Sequence, residues 1–288
     1  MIFIPDSVLD SFISEDVPYL DLTGSLLGIG RQEGTIEFYT REDITVCGTE
    51  EVSRIFAKFD LVTQMSVPSG TLLKQGKTAI LASGSAEGIH CAWKVSMNIL
   101  EYCSGISTTT RRLVDTVKAV NQGVEILTTR KSFPGTKLLV TKSIAAGGAL
   151  PHRLGISETV LVFREHCVFK GGVEGFAEMI GNIKVRAPEK KIIAEAETIE
   201  DARRLARAGI DGIQFDKVSP STLAKYVTAL RAVRPDIVIL AAGGITLENA
   251  ESFAKSGVNG IITSSLFHAK PSDMGVRISD SQCSAPER

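Results

Sequence analysis

"KKIIAEAETIEDARRLARAGIDGIQFD", residues 190–216, holds one complete period of the second half of the chain. A short apolar run ends in acids at Glu195 and Glu197, an amphipathic helical segment follows, Gly209 closes it, and a second apolar run ends at Asp216. Runs that are hydrophobic throughout suit strands buried on both faces, and strand–helix–strand alternation argues a parallel sheet under helix cover. The rhythm extends in both directions. Upstream lie "VEILTTR" and "ETVLVFRE"; downstream lie "DIVILAAGG" and "VNGIITSS", with "SPSTLAKYVTALRAV" and "TLENAESFAKSG" as the intervening helical segments. Six such apolar runs, none of them opening a GxGxxG turn, favour an α/β barrel over a dinucleotide-binding sheet. The doubly wound sheet is the structural alternative.

The first ~95 residues have a different texture, with short segments divided by Gly, Ser and Pro. "VPSGTLLKQGKTAILASGSAEGIH", residues 67–90, alternates in short strands around turn glycines, so a small sheet-rich module is expected there. A long helical pattern then begins near Trp93 and runs to Gly123, which reads as its stop. The tail from Ile278 is polar and reads as loose.

Composition sets the outer bounds. The 288 residues are 43% apolar and 23% charged, with a net charge of −1, which leaves no electrostatic footprint for nucleic acid or an anionic membrane. Any cationic site must be local. No apolar run is long enough to span a bilayer, and the acidic N-terminus lacks the basic start of a signal peptide. Five scattered cysteines without a CxxC pair read as reduced thiols of a cytoplasmic protein, with no zinc site.

In a parallel barrel the site forms at the C-terminal ends of the strands. Those ends carry Arg130-Lys131, Arg164-Glu165-His166, Glu195-Ala196-Glu197, Asp216-Lys217, Ala242-Gly243-Gly244 and Thr263-Ser264-Ser265. Wet strand ends explain any one of these; they do not explain charges paired with glycines throughout the set. Gly243 and Gly244 would let backbone amides approach a phosphate at a helix start, and Ser264 at the next strand end fits the same subsite. Glu195 and Asp216 are candidates to hold Mg²⁺, with a salt bridge across the barrel mouth as the bland alternative. Arg130, Lys131, Arg153 and Arg164 would clamp carboxylate or phosphate oxygens. His152 and His166 would either orient a neighbour or touch the ligand. The stretch "TTRKSFPGTKLLVTKSIAAGGALPHRLG", residues 128–155, concentrates this charge around a glycine-lined space suited to a small, highly anionic substrate.

"NILEYCSGISTTTRRLVD", "TTRKSFPGTKLLVTKSIAAGGALPHRLGISE", "AEAETIEDARR", "GIQFD" and "AAGGIT", together with the N-terminal "SEDVPYLDLTG", resemble the nicotinate-nucleotide pyrophosphorylases, or quinolinate phosphoribosyltransferases. The likeness covers most of the chain in order, and some departures look like the branch of pyrophosphorylases associated with molybdenum transport. The resemblance implies an N-terminal α/β sandwich over residues 1–104, joined by the tail 269–288, and an incomplete parallel α/β (TIM-like) barrel over 105–268. It implies a homodimer, or a higher oligomer, with sites shared across the interface. The activity it implies is pentosyl transfer: phosphoribose moves from phosphoribosyl pyrophosphate to quinolinate, with Mg²⁺, in NAD biosynthesis. On this chain the family's residues fall on Glu195, Asp216 and Lys131 as catalytic groups, the two acids also holding metal. Lys94, Arg130, Lys131, His152, Arg153, Arg164, Gly243, Gly244, Ser264 and His268 fall on binding positions.

Three positions depart from the pattern. Lys94 stands in "WKVSMN" where the family has Arg, Phe163 where it has Lys, and Lys217 where it has Asn. Losing a bidentate Arg and a cation weakens a site meant for two carboxylates, and Arg164 is the candidate to compensate. The phosphoribosyl half reads as intact. The expected acceptor is quinolinate or a related nitrogen base with one carboxylate. The reading from another class is a non-catalytic binder of an anionic or phosphorylated ligand linked to molybdate uptake.

Overall fold

The structure, a computed structural model, describes residues 2–280. In chain order the strands are β1 (Glu33–Thr40), β2 (Ile44–Thr45), β3 (Val62–Ser66), β4 (Leu72–Leu73), β5 (Thr78–Ser85), β6 (Glu125–Thr128) and β7 (Leu150–Pro151). They continue as β8 (Val160–Val162), β9 (Ile192–Glu195), β10 (Gly212–Asp216), β11 (Val238–Ala242), β12 (Gly260–Thr263) and β13 (Met274–Asp280). The helices are α1 (Asp6–Asp16), α2 (Leu22–Leu27), α3 (Thr49–Lys58), α4 (Ala86–Val120) and α5 (Lys137–Ala146). After them come α6 (Arg164–Val168), α7 (Gly172–Arg186), α8 (Ile199–Arg207), α9 (Pro220–Arg231) and α10 (Ala250–Ala254). None is long and apolar enough to cross a membrane.

Contacts divide the chain into two units. The first holds the residues up to 111, Phe133–Gly148 and the chain from His268 on; the second holds Arg112–Ser132 and Ala149–Phe267. In the first unit an antiparallel sheet runs in the order β13-β1-β5-β3. Its core face is built by alternation: Ile36 and Phe38 of β1 are fully buried beside Ile80 and Ala82 of β5, and Phe38 stacks on Phe56 of α3. Helix α5 joins this unit through a buried ion cluster. Lys142 reaches Glu50 at 2.8 Å and also bonds Glu51, while the Cys47 thiol lies 3.8 Å from the Ser143 hydroxyl.

Two local expectations are corrected here. Residues 86–90 are helical rather than part of a strand, because Ser85 ends β5 and its hydroxyl accepts the Gly88 amide at 3.2 Å, capping α4. The tail is not loose as far as Asp280: β13 pairs antiparallel with β1 from Met274↔Thr40 to Asp280↔Gly34. Its polar residues lie on a ladder that backbone hydrogen bonds hold whatever the side chains. Residues 281–288, with Cys283, lie outside the described residues, and the other four cysteines are free and buried.

The second unit is a seven-stranded sheet in the order β7-β6-β12-β11-β10-β9-β8, parallel at every pairing. All six expected strands are present, and the short edge strand β7 joins them. No pairing connects β7 to β8, so the curled sheet stays open and the barrel is incomplete. Strand β12 is buried at every residue, as a strand covered on both faces must be. Inside the curl Leu161, Ile193, Leu240, Ala242 and Ile262 pack together with Leu127, Phe163 and Val238. This apolar plug is the floor on which the strand ends stand.

Candidate active site

At the C-terminal strand ends of the second unit a cavity of about 450 Å³ is lined by residues from all seven strands or the turns after them. Arg130, Lys131, His152 and Arg153 form one side; Glu195, Asp216 and Lys217 come from the neighbouring strands β9 and β10; Gly243, Gly244 and Ser264 complete the ring. Residues 60 or more positions apart in sequence thus share one space because parallel strands all end on the same side.

The cations are built to be unneutralised. Arg153 is only 8% exposed, and burial followed by the nearby Arg130 charge pushes its pKa down, Glu158 opposing. The Glu158 carboxylate is already engaged by the Leu154 amide at 2.7 Å. Among the described residues neither Arg130, Lys131 nor Arg153 has an ion-pair partner within bonding distance. Two adjacent guanidinium groups without an acid are unfavourable alone and favourable around an anion. His152 is held by its amide to the Thr128 carbonyl at 3.0 Å, and its Nε2 is buried without a hydrogen-bond partner. Burial, then the Arg153 charge, lowers its pKa, so the ring is neutral at physiological pH. It offers one directional hydrogen bond rather than a charge.

The acids behave in the opposite sense. Gln214, 6% exposed within β10, donates to Glu195 Oε2 at 3.2 Å. Burial and then the Asp216 charge nevertheless raise the Glu195 pKa. Two carboxylates that repel each other beside a cavity fit a divalent cation, which Mg²⁺ satisfies with one or two protein carboxylates plus substrate phosphates. No cluster of three or more potential ligands occurs among the described residues, so such an ion would be shared with a substrate rather than caged by protein.

The glycine turn has its own scaffold. Gly243 and Gly244 both take positive φ, 88° and 69°. The Thr246 amide donates to Asn249 Oδ1 and the Asn249 amide group to the Gly244 carbonyl, both at 2.9 Å. Buried Thr263 ties this turn to the next strand end, donating to the Ile245 carbonyl at 2.6 Å and accepting from the Ser265 amide at 3.0 Å. The amides of Gly244 and Ile245 donate to no backbone or side-chain acceptor among the described residues. Helix α10 starts only at Ala250, so these amides, rather than a helix end, are what an oxyanion would meet.

Not every expected residue joins the cavity. Arg164 opens α6 and pairs with Glu197 at 3.0 Å, both groups largely exposed. His166 accepts the Phe163 amide on Nδ1 at 3.0 Å and stacks on the Phe163 ring, so it caps α6. Lys94 lies over the Trp93 ring at 4.4 Å; it and His268 belong to the first unit. Conversely, Gln214 joins the site without having been expected there. A lone amide inside an otherwise apolar strand is the signal that marks Gln214, since a buried polar side chain needs a partner.

A curled, open parallel sheet with unpaired cations at its strand ends defines an incomplete α/β barrel with its candidate site at the mouth. Residues 106–277 match the quinolinate phosphoribosyl transferase C-terminal domain and residues 21–104 the N-terminal domain. The chain belongs to this family of pentosyltransferases. It is 35% identical over 259 residues to a protein of Rhodobacter capsulatus, covering 89% of this chain and 98% of that one. It is 32% identical over 278 residues to one of Escherichia coli O157:H7, covering 96% and 98%. Both relatives are provisionally named pyrophosphorylase ModD. The nicotinate-nucleotide pyrophosphorylase structure from Francisella tularensis superposes with a TM-score of 0.88 at 21% identity, over 96% of this chain and 98% of that one, which establishes the shared fold.

Proposed function

We propose that the protein is a pentosyltransferase of the ModD type. It moves phosphoribose from phosphoribosyl pyrophosphate to the ring nitrogen of a heterocycle carrying one carboxylate. The observation that carries this reading is the cavity itself: unpaired Arg130, Lys131 and Arg153 face a repelling acid pair, Glu195 and Asp216, across about 450 Å³. In the reaction the ribose C1–O bond to pyrophosphate breaks with its electron pair, and the ring nitrogen's lone pair forms the new C1–N bond. Positive charge builds on the ribose as the bond breaks, and Glu195 and Asp216 supply the negative charge that stabilises it. Arg130, Lys131 and Arg153 hold the leaving group and the acceptor carboxylate, while neutral His152 orients by one hydrogen bond. A bound Mg²⁺ would be held by Glu195 and Asp216 and would neutralise pyrophosphate charge.

Phe163 supports the single carboxylate. Its side chain belongs to the apolar floor and also lines the cavity wall, so that wall offers a ring face where a second carboxylate would need a cation. Calorimetric titration tests the whole reading. Phosphoribosyl pyrophosphate should bind more tightly with Mg²⁺ than with chelator, and in its presence nicotinate should bind better than quinolinate. Asp216→Asn should remove the Mg²⁺-dependent increment and leave binding in chelator nearly unchanged. No binding of phosphoribosyl pyrophosphate under either condition sinks the proposal; binding without turnover of any base leaves a phosphorylated-ligand binder.

We also propose a homodimer. The 19–27 segment of the first unit exposes Tyr19 (92%), Leu20, Leu22, Leu26 and Leu27, apolar side chains that an interface between two copies would cover. Sedimentation equilibrium should give twice the chain mass, and Leu26→Asp should shift it toward one chain. A monomeric wild type would refute this.

A further inference from the structure

Lys217 is one of two described non-glycine residues with positive φ, at 57°; the other is Asp60. A side chain with a Cβ is disfavoured in this left-handed region, and only Asn and Asp tolerate it readily because of their short polar groups. Lysine brings no such local hydrogen bond, so the conformation is held by its surroundings. The Lys217 amide donates to the Ala242 carbonyl at 2.8 Å, locking the end of β10 to the end of β11. The result is a specific direction for the side chain. A Cβ placed on Gly243 would meet Asp216 Oδ1 first, then Lys217 Cγ at 2.6 Å and the Lys217 amide nitrogen at 2.7 Å. The Asp216 carboxylate and the lysine stem therefore both lie against the first glycine of the turn, and only glycine at 243 leaves room for them. The side chain is exposed, lines the cavity, and pairs with no acid among the described residues.

A strained backbone that holds an unpaired lysine stem against a turn with two undonated amides is a costly arrangement without a ligand. We infer that Lys217 is the cationic clamp of the phosphosugar subsite, holding the phosphate ester of the ribose against the Gly244 and Ile245 amides. This rests on the phosphoribosyl reading above and assigns it a binding residue distinct from the cations that face the leaving group. The amides supply fixed dipoles in one direction, and Lys217 supplies a full charge from across Gly243. The same group would distinguish a phosphorylated sugar from an unphosphorylated one.

Lys217→Asn separates the two roles of the position, because asparagine relaxes the backbone while deleting the charge. Titration with ribose 5-phosphate in chelator should show a roughly 10- to 100-fold loss of affinity, the range for one charge-assisted hydrogen bond. Inorganic pyrophosphate should change by less than about threefold, since its cations are untouched. Melting temperature should rise. Lys217→Arg, which keeps the charge and the strain, should retain most ribose 5-phosphate affinity. Wild-type affinity for ribose 5-phosphate in Lys217→Asn, or a loss confined to pyrophosphate, overturns the assignment while leaving the transferase reading standing. A wild type that binds neither ribose 5-phosphate nor phosphoribosyl pyrophosphate overturns both.

Discussion

Lys142→Met is expected to destabilise the protein by about 3–5 kcal/mol, the range for removing one member of a buried ion pair. Lys142 and Glu51 are 9% and 4% exposed at their side chains, and Glu50 is the third member. Methionine fills the stem's volume but leaves two carboxylates facing each other in the interior of the first unit. The triple variant with Glu50→Gln and Glu51→Gln should recover much of the loss, because the penalty lies in the orphaned charges and not in the missing attraction. Urea unfolding followed by circular dichroism measures both; a single variant within 1 kcal/mol of wild type (about fivefold in the unfolding constant) would contradict the account.

The same cluster sets an acid limit. Burial pushes the Glu50 carboxyl up, but hydrogen bonds from Lys142 and Ser69 outweigh it and hold its pKa down from 4.5 to about 2. Its folded-state pKa is depressed, so the stability it contributes is fully present above 4.5 and is lost as pH falls toward 2. In Lys142→Met the principal depressing partner is gone, so that part of the acid dependence should shrink.

Glu195→Gln is expected to move stability and activity in opposite directions. Burial and then the Asp216 charge hold the Glu195 carboxyl above its ordinary 4.5, with the Gln214 hydrogen bond opposing. Between 4.5 and the raised value the native state binds more protons than the unfolded one, so stability falls as pH rises through that window. The deficit is complete once the pH exceeds the raised value. Removing the charge should therefore raise the melting temperature increasingly as pH rises above 4.5 and leave it nearly unchanged below that. Turnover should fall about 100- to 1000-fold, the loss typical of deleting one electrostatic stabiliser of a charged transition state. Single-turnover release of pyrophosphate reads this directly. Activity within a few-fold of wild type would remove Glu195 from the reaction.

Much of the fold is legible from local pattern. The 190–216 stretch repeats as strands buried on both faces and amphipathic helices, and that periodicity alone selects a parallel sheet with its site at the strand ends. Glu195, Asp216, Gly243 and Gly244 follow from it, because a residue's position in a strand is a matter of counting. The companion sheet was signalled by the short turn-bounded segments of the first ~95 residues, but the openness of the barrel came from resemblance, since local periodicity carries no information on whether two edge strands meet. Which charges face one another is a long-range matter, and here tertiary structure decided. Lys142 and Arg153 are both cations of the 128–155 stretch, yet Lys142 is consumed by acids 91 and 92 residues away while Arg153 stays unpaired in the cavity. Arg164 sits at a strand end like the others and is spent on Glu197 across a short gap. The positive φ of Lys217 is imposed by the carbonyl of a neighbouring strand, and no propensity of lysine foretells it. Hydrophobic periodicity is written residue by residue along the chain; the partner of a charge is set by the geometry of all the other strands.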